Sequence, residues 1–530
     1  MPDKRQFFKR TLIFGVGGII GQLVPLILLP LYTNYLTPSE YGTLDVIFMA
    51  SDIISTVFLV GGIRLAAMTF YKQAENEEAR RRVAITVSSL LWIAVATAIT
   101  LSICFVDYID LFLKTGQKEI LAFGLATILL EGIVAVPMTL IQARLESLRF
   151  VVINIAMSFC RLVLCIYFVA GKDLGIWGGQ ELDIWGVLFA QILVVIAFGI
   201  VLTYRELRIG SLYPDTSKWR EILLFCLPLV PNGIFAFIYG SAGRFSILHI
   251  GPYGDEQAAL AAVGLYALAN RLISVSRFMG TGPMQQVWTA EMYDVYKKLD
   301  APNIFGNFAL RLLCVLTFAV LGISLFATEI VWTMCDRSYY GAAPLIPLLG
   351  LYTILLLFDN QMHNTFFITR KTNYILYCTA SILPFICLFM YLLVPRWGVM
   401  GVVIAQILTY IIYSGVVYFF TQRFFRIRYP FGRIAILSII TVLCYFLSLL
   451  CGNGIELNTM TPEQFAELSR WEKIMDAWNR ILWIPIIAKT GIMFLWGILI
   501  WCSGALLPED KTLAIRVLKN RFQKLYSQKP

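Results

Sequence analysis

Ten ionisable side chains interrupt stretches of this sequence that are otherwise apolar. They are Asp52, Arg64, Glu131, Arg161, Arg244, Arg271, Arg277, Arg311, Asp359 and Lys489. A charge at the centre of a bilayer costs at least about 2.5–3.5 kcal/mol, so each is by default a functional hypothesis. A guanidinium recognises phosphate or carboxylate through its planar fork of donors, and a carboxylate binds a proton or a cation. The mixture predicts recognition of an anion together with binding of a small cation.

The best candidates for anion binding lie on one predicted helix. Arg271 is the deepest basic residue, near the middle of that helix. Asn270 and Arg277 are seven residues apart and share a helix face, while Arg271 is rotated from Asn270 by about 100°. One wall of a cavity can therefore present both arginines and the amide. Internal salt bridges or snorkelling are the alternatives for the two arginines.

Arg64 and Arg244 complete the predicted substrate-binding set, although both lie near span ends. Asp52, Glu131 and Asp359 are the candidates for ion coupling. A buried carboxylate can exchange protons near neutral pH only if no cation pairs with it. Pairing with a nearby arginine is therefore the alternative for each carboxylate. No catalytic residue is predicted.

The elements that carry these residues are membrane-spanning helices. The chain is 58% hydrophobic and only 14% charged, whereas soluble domains are about one-quarter charged. Its apolar runs have about twenty residues, the length of a helix that crosses a bilayer. They predict an all-α polytopic membrane protein with about fourteen transmembrane helices. The predicted spans are 11–32, 43–69, 83–106, 119–141, 150–170, 184–204, 221–246, 258–282, 303–328, 342–368, 373–394, 399–420, 432–450 and 481–505.

Lysine and arginine are concentrated on alternate connections between these spans, including Arg80-Arg81-Arg82 and the tail after Lys511. The positive-inside rule places those connections and both termini in the cytoplasm. Because the net charge of +10 is spread over many short loops, a nucleic-acid partner is not expected. Most of the eleven cysteines lie inside apolar spans and there are two histidines, so no metal or cofactor is predicted.

One segment of the sequence occurs nearly twice. "WGVLFAQILVVI" at 185–196 and "MGVVIAQILTYI" at 400–411 agree at seven of twelve positions. Other matched positions follow in the same order. Pro38 corresponds to Pro252, and "YGTLDV" then corresponds to "VGLYALA". The pattern predicts duplication, with two parallel six-helix repeats around a central cavity that holds the substrate.

The predicted domains follow from this duplication. Residues 1–210 form an N-lobe with helices 1–6, and residues 211–425 form a C-lobe with helices 7–12. Residues 426–530 contribute helices 13 and 14, an outer amphipathic helix within 451–480, and a basic cytoplasmic tail. The amphipathic helix begins at a capping-box pattern with Thr461 as N-cap and Gln464 at N3.

Three stretches of the sequence also resemble a known family. "LPLYTNYLTPSEYGTLDV", "GLYALANRL" and "VPRWGVMGVVIAQILTY" look like the polysaccharide biosynthesis membrane proteins, the Wzx-type lipid-linked oligosaccharide flippases. These belong to the multidrug/oligosaccharidyl-lipid/polysaccharide exporter superfamily. The resemblance covers nearly the whole chain, and fourteen spans are more like the lipid II flippases of that superfamily.

The resemblance implies a function in the bacterial cytoplasmic (inner) membrane. The protein would move an undecaprenyl-pyrophosphate-linked oligosaccharide to the outer leaflet for a cell-surface polysaccharide such as O-antigen or exopolysaccharide. The expected partners are this polyprenyl pyrophosphate carrier, membrane lipids, and H+ or Na+ as the coupling ion. Two alternatives stay open, a multidrug/cation antiporter of the same superfamily and a membrane glycan polymerase. An enzyme is not the preferred interpretation.

Overall fold

The computed structural model of the protein contains helices and no β-strand over the residues that it describes. These residues are 26–58, 60–144, 146–176, 179, 182–207, 213–227, 229–369, 371, 373–452, 482–508 and 510–512. In chain order the helices are α1 (26–35), α2 (Pro38–Val57), α3 (Val60–Gln73), α4 (Glu77–Cys104), α5 (Val106–Leu113), α6 (Lys118–Leu130), α7 (Gly132–Ala143), α8 (Ser147–Cys165), α9 (Asp183–Leu207), α10 (Trp219–Cys226), α11 (Leu229–Ile250), α12 (Glu256–Gly280), α13 (Gly282–Tyr296), α14 (Ala301–Leu325), α15 (Ala327–Met334), α16 (Leu345–Ile368), α17 (Asn373–Phe424), α18 (Phe431–Leu450) and α19 (Trp483–Cys502).

Eleven helical stretches in the described part of the chain are long and apolar enough to cross a membrane. The number is twelve if α2 and α3, which are bent by 53° at their junction, form one broken span. Every predicted span after the first overlaps one of these stretches, which confirms the all-α polytopic fold. The count of fourteen stays a prediction, because most of 11–32 lies outside the described residues. The predicted outer amphipathic helix and most of the basic tail lie outside them as well.

The long helix α17 is two helices joined at a sharp break. Gly398 has φ 53° and ψ −131°, a conformation that glycine adopts without the steric penalty of a Cβ. A Cβ at this position would lie 2.7 Å from the Tyr253 hydroxyl. That hydroxyl accepts a hydrogen bond of 3.1 Å from the Val399 amide. The break falls between the predicted spans 373–394 and 399–420 and accounts for both of them.

The start of α2 is fixed by a capping box. The Thr37 amide donates to Glu40 Oε2 at 2.8 Å, and the Glu40 amide donates to Thr37 Oγ1 at 3.3 Å. Pro38 occupies the first turn, where its missing amide hydrogen is not needed. This local sequence therefore sets the residue at which α2 begins. It thereby also sets the positions along the helix of the carboxylates later in α2.

Two glycines allow α2 and α12 to touch through their backbones. A Cβ on Gly42 would lie 1.9 Å from the carbonyl oxygen of Leu260, and one on Gly264 would lie 2.0 Å from that of Pro38. The contact is reciprocal, because each glycine meets the carbonyl four residues before the other. Small residues at a crossing permit this close approach between membrane helices.

Packing divides the chain into two compact units. Unit 1 comprises Met1–Arg271, Cys335–Gly341 and Thr379–Thr409, and unit 2 comprises Leu272–Met334, Ala342–Cys378 and Tyr410–Pro530. In unit 1 a core between α3, α4 and α7 includes Leu91 and Val136, and in unit 2 a core between α14, α18 and α19 includes Leu313 and Trp496. The predicted lobes are sequence repeats, and their boundaries stay a prediction.

Candidate functional site

Arg244 and Asp45 form a bidentate ion pair inside unit 1. Arg244 extends from α11, and its Nε donates to Asp45 Oδ2 on α2 at 2.5 Å while its Nη2 donates to Oδ1 at 3.1 Å. The two side chains are only 21% and 20% exposed. The sequence analysis selected Arg244 but missed Asp45, because this carboxylate lies close to a predicted span end, where a charge is ordinary. The pair neutralises Arg244 within the protein.

An aromatic ring and an amide extend this contact. The Arg244 guanidinium lies 5.9 Å from the ring centroid of Tyr266, within the range of a cation–π interaction. The buried Tyr266 hydroxyl accepts a hydrogen bond of 2.9 Å from Gln406 Nε2. Gln406 is the glutamine of the second copy of the repeated segment. The Gln406 amide therefore holds in place the Tyr266 ring that the Arg244 guanidinium covers.

Two further predicted site residues, Asp52 and Arg271, lie near this pair. Asp52 is close enough to interact electrostatically with Arg244 and Asp45, and Tyr41 interacts with both Arg271 and Arg244. The four ionisable residues Asp45, Asp52, Arg244 and Arg271 are called here the unit 1 charge cluster. Their formal charges balance. An anion bound at this cluster would have to compete with Asp45 for Arg244, whereas the side chain of Arg271 is exposed.

Glu131 forms a salt bridge with an arginine, which the sequence analysis gave as the alternative to ion coupling. It lies at the junction of α6 and α7, and its Oε1 accepts hydrogen bonds from Arg161 Nη2 at 2.5 Å and from Gln191 Nε2 at 2.6 Å. Gln191 is the glutamine of the first copy of the repeated segment. The carboxylate is thus already bound by a cation and an amide, which leaves it poorly placed to exchange an ion.

Asp359 has a different environment in unit 2. Its side chain on α16 is 1% exposed, and Oδ1 accepts a hydrogen bond of 2.7 Å from Ser414 Oγ on α17. The buried Oδ2 makes no hydrogen bond to a described residue. One turn along α16, His363 Nε2 lies 3.1 Å from the Tyr413 hydroxyl. An ionised carboxylate buried without a cation is costly, so this group is suited to bind a proton or metal cation.

The remaining predicted residues lie on α12 and α3. Asn270 is partly buried and Arg277 belongs to unit 2, because the boundary between the units crosses α12 after Arg271. The buried Nε of Arg277 makes no hydrogen bond to a described residue. Arg64 on α3 is exposed. The common cavity wall predicted for Arg271 and Arg277 stays a prediction.

Comparison with known proteins assigns a family. The sequence profile of the family described as "Polysaccharide biosynthesis protein" matches residues 7–288, more than half of the chain. The chain belongs to that family. No curated protein sequence matches the chain.

Solved structures share its fold. The lipid II flippase MurJ in an inward closed conformation superposes with a TM-score of 0.65 at 12% identity, over 92% of this chain and 98% of MurJ. An inward-facing multidrug resistance MATE transporter of the MOP superfamily has a TM-score of 0.60 at 16% identity, over 76% and 94% of the two chains. A MOP superfamily transporter from Pyrococcus furiosus has a TM-score of 0.53 at 17% identity, over 78% and 95%. The chain therefore has the polytopic fold seen in these flippase and transporter structures.

Proposed function

We propose that the protein moves an undecaprenyl-pyrophosphate-linked oligosaccharide from the cytoplasmic to the outer leaflet of the bacterial inner membrane. The membership in a polysaccharide biosynthesis family and the fold shared with flippases support this assignment. The chain reaches its substrate by alternating access, with both termini in the cytoplasm and an ion gradient as the energy source. A transporter of this kind breaks no covalent bond and needs no catalytic residue.

The observation that carries the proposal is Arg277. This arginine is the last residue of a candidate membrane span, and its buried Nε makes no hydrogen bond to a described residue. A buried guanidinium nitrogen without a hydrogen bond is costly unless a ligand or water compensates it. The pyrophosphate of a lipid-linked glycan supplies matched acceptors for such a fork of donors. Arg271 on the same helix, with Asn270 beside it, offers further donors for phosphate or sugar hydroxyls.

Alanine variants of the two arginines test the recognition of the head group. R271A and R277A are expected to abolish transport while the amount of inserted protein stays normal, because each removes a charge that contacts the pyrophosphate. Lipid-linked glycans are extracted from right-side-out and inverted vesicles of cells that carry each variant as the sole copy. Arg82 serves as the control, since it is exposed and pairs with Glu78 at 2.7 Å in the same chain. Normal transport by both variants would remove the arginines from the site.

Asp359 is proposed as the ion-coupling residue in preference to Asp52 and Glu131. The choice is supported by the burial of Asp359 and by the absence of a salt bridge between it and any described residue. Glu131, in contrast, already pairs with Arg161. D359N keeps the size of the side chain and an acceptor for Ser414 but cannot ionise. Transport by D359N in proteoliposomes should therefore not respond to an imposed pH or Na+ gradient. A gradient response equal to that of the parent protein would contradict this role.

A further inference from the structure

A basic cavity lies within unit 1, on the side of the membrane predicted to be cytoplasmic. Its volume is about 710 Å³, within the range of about 300–1,000 Å³ that is usual for ligand sites. Six cations line it, namely Lys72, Arg80, Arg81, Arg144, Arg149 and Arg205. The lining also contains the two carboxylates Glu77 and Glu206. These lining residues carry a formal excess of four positive charges, which becomes three when Glu146, paired with Arg149 at 2.9 Å, is included.

The carboxylates hold part of the cavity in place without neutralising it. Glu206, whose side chain is 1% exposed, accepts from Arg144 Nη1 at 2.8 Å and also pairs with Arg149. One buried carboxylate thus lies between two guanidiniums. Arg144 Nε donates to the Tyr71 hydroxyl at 2.8 Å. Burial opposes the charge of Arg144, but the Tyr71 hydrogen bond and the Glu206 carboxylate outweigh it, so its pKa is raised and the guanidinium stays charged.

Other donors in the cavity are available to a ligand. Arg80 pairs with the exposed Glu77 through Nη1 at 2.8 Å, and its buried Nε makes no hydrogen bond to a described residue. Arg81 and Arg205 are exposed and have no salt bridge within the described ranges. A positively charged concavity with unused donors is complementary to phosphate.

An apolar groove of about 690 Å³ continues from this cavity along α8 and α9. Arg149 and Arg205 line both spaces, so the groove begins where the basic cavity ends. Its walls include Leu148 and Val152 of α8 and Val201 of α9, which are 64%, 55% and 59% exposed. Both helices are candidate membrane spans. The groove therefore lies on the apolar part of the molecule and the basic cavity at its interfacial end.

We propose that the basic cavity and the groove form a binding site for an anionic glycerophospholipid of the cytoplasmic leaflet. The phosphate of its head group binds among the cavity arginines, and an acyl chain lies along the groove between α8 and α9. Basic pockets beside membrane helices on the cytoplasmic side are suited to such lipids. The site contains none of the residues assigned to the transported substrate, and the inference does not depend on what that substrate is.

Native mass spectrometry of the purified full-length protein in detergent tests this proposal. The probes are dioleoyl phosphatidylglycerol, dioleoyl phosphatidylcholine, inorganic phosphate and undecaprenyl phosphate. Phosphatidylglycerol should bind at least about tenfold more tightly than phosphatidylcholine, a difference of about 1.4 kcal/mol. Both lipids carry a phosphate, but the choline ammonium adds a positive charge that the excess cations of the cavity repel. The double variant R81Q/R205Q should lose that preference. R82Q is the matched control, since Arg82 neighbours Arg81 on the same helix but does not line the cavity.

A second pair of variants tests the groove. V201W fills it, whereas I200W places the same ring on the neighbouring residue, which is 66% exposed and does not line the groove. V201W should weaken binding of phosphatidylglycerol and I200W should not. Equal binding of the two phospholipids, or unchanged binding in R81Q/R205Q, would overturn the proposal. Binding of inorganic phosphate alone, with no effect of V201W, would overturn the lipid as ligand, and so would binding of undecaprenyl phosphate without binding of phosphatidylglycerol.

Discussion

A buried ion pair in unit 2 offers a quantitative test of how this protein holds charge inside its membrane helices. Lys489 Nζ on α19 donates to Glu329 Oε1 on α15, and the two side chains are only 5% and 9% exposed. K489M removes the cation and leaves the carboxylate buried. The loss should be about 3–5 kcal/mol, the usual cost of removing one partner from a buried pair.

The same reasoning predicts that the double variant recovers. K489M/E329M replaces both charges by apolar side chains of similar size, a change that is often neutral or stabilising by about 1–4 kcal/mol. The pair of Lys118 and Asp107 provides the control, because these side chains are 56% and 70% exposed. K118M should cost no more than about 1 kcal/mol, since exposed pairs contribute little.

Heat stability of fluorescent fusions, followed by size-exclusion chromatography in detergent, measures these differences. The amount of inserted fusion protein before heating shows whether each variant still assembles. A K489M variant as stable as the parent protein would refute the reasoning. A double variant no more stable than K489M would also refute it, because the loss would then come from packing rather than from the broken ion pair.

Three further changes have expected outcomes. G264A should destabilise the protein by about 1–3 kcal/mol through overpacking against Pro38, whereas G240A, which has open space around it, should cost much less in the same heating assay. T37A removes the cap of α2 and should cost about 0.5–2 kcal/mol, with T37S expected to restore most of it. R161M leaves Glu131 without its cation and should lower the melting temperature more than E131Q, and equal melting temperatures for the two variants would contradict the salt bridge.

The helical fold was predictable from sequence because a bilayer imposes the length and the apolar composition of every span. The physical cause of a break between spans was not, as α17 illustrates. Hydropathy separates 373–394 from 399–420, but it does not reveal that the positive φ of Gly398 and the Tyr253 hydroxyl create the break. The bend between α2 and α3 is likewise a tertiary feature.

The sequence singled out charged residues in apolar segments, but it did not give their partners. Asp45 and Arg244 are 199 residues apart, and so are Arg311 and Asp510. No local pattern connects such pairs, because tertiary packing brings them together. The sequence also left open whether Glu131 or Asp359 would pair with an arginine. The structure distinguishes the two carboxylates. Arg161 donates a hydrogen bond to Glu131, whereas Asp359 accepts one only from the Ser414 hydroxyl among the described residues.

One contact in the structure joins residues that the sequence repeat matches with each other. Gly42 and Gly264 occupy matched segments of the two predicted halves, and they pack reciprocally in the structure. Equivalent helices related by a two-fold axis would make such a contact. We therefore keep the duplication as a proposal, with this glycine crossing as its structural support.

The orientation of lipid-linked glycan in a deletion strain tests the proposed function most directly. Glycans are extracted from right-side-out and inverted vesicles of cells that lack this protein, after treatment with an enzyme that cannot cross the membrane. We expect a polyprenyl-linked oligosaccharide that accumulates and is accessible only from the cytoplasmic side. Accumulation of the same unit on the outer side would contradict the flippase and favour a polymerase, and unchanged glycans with altered drug sensitivity would favour an antiporter.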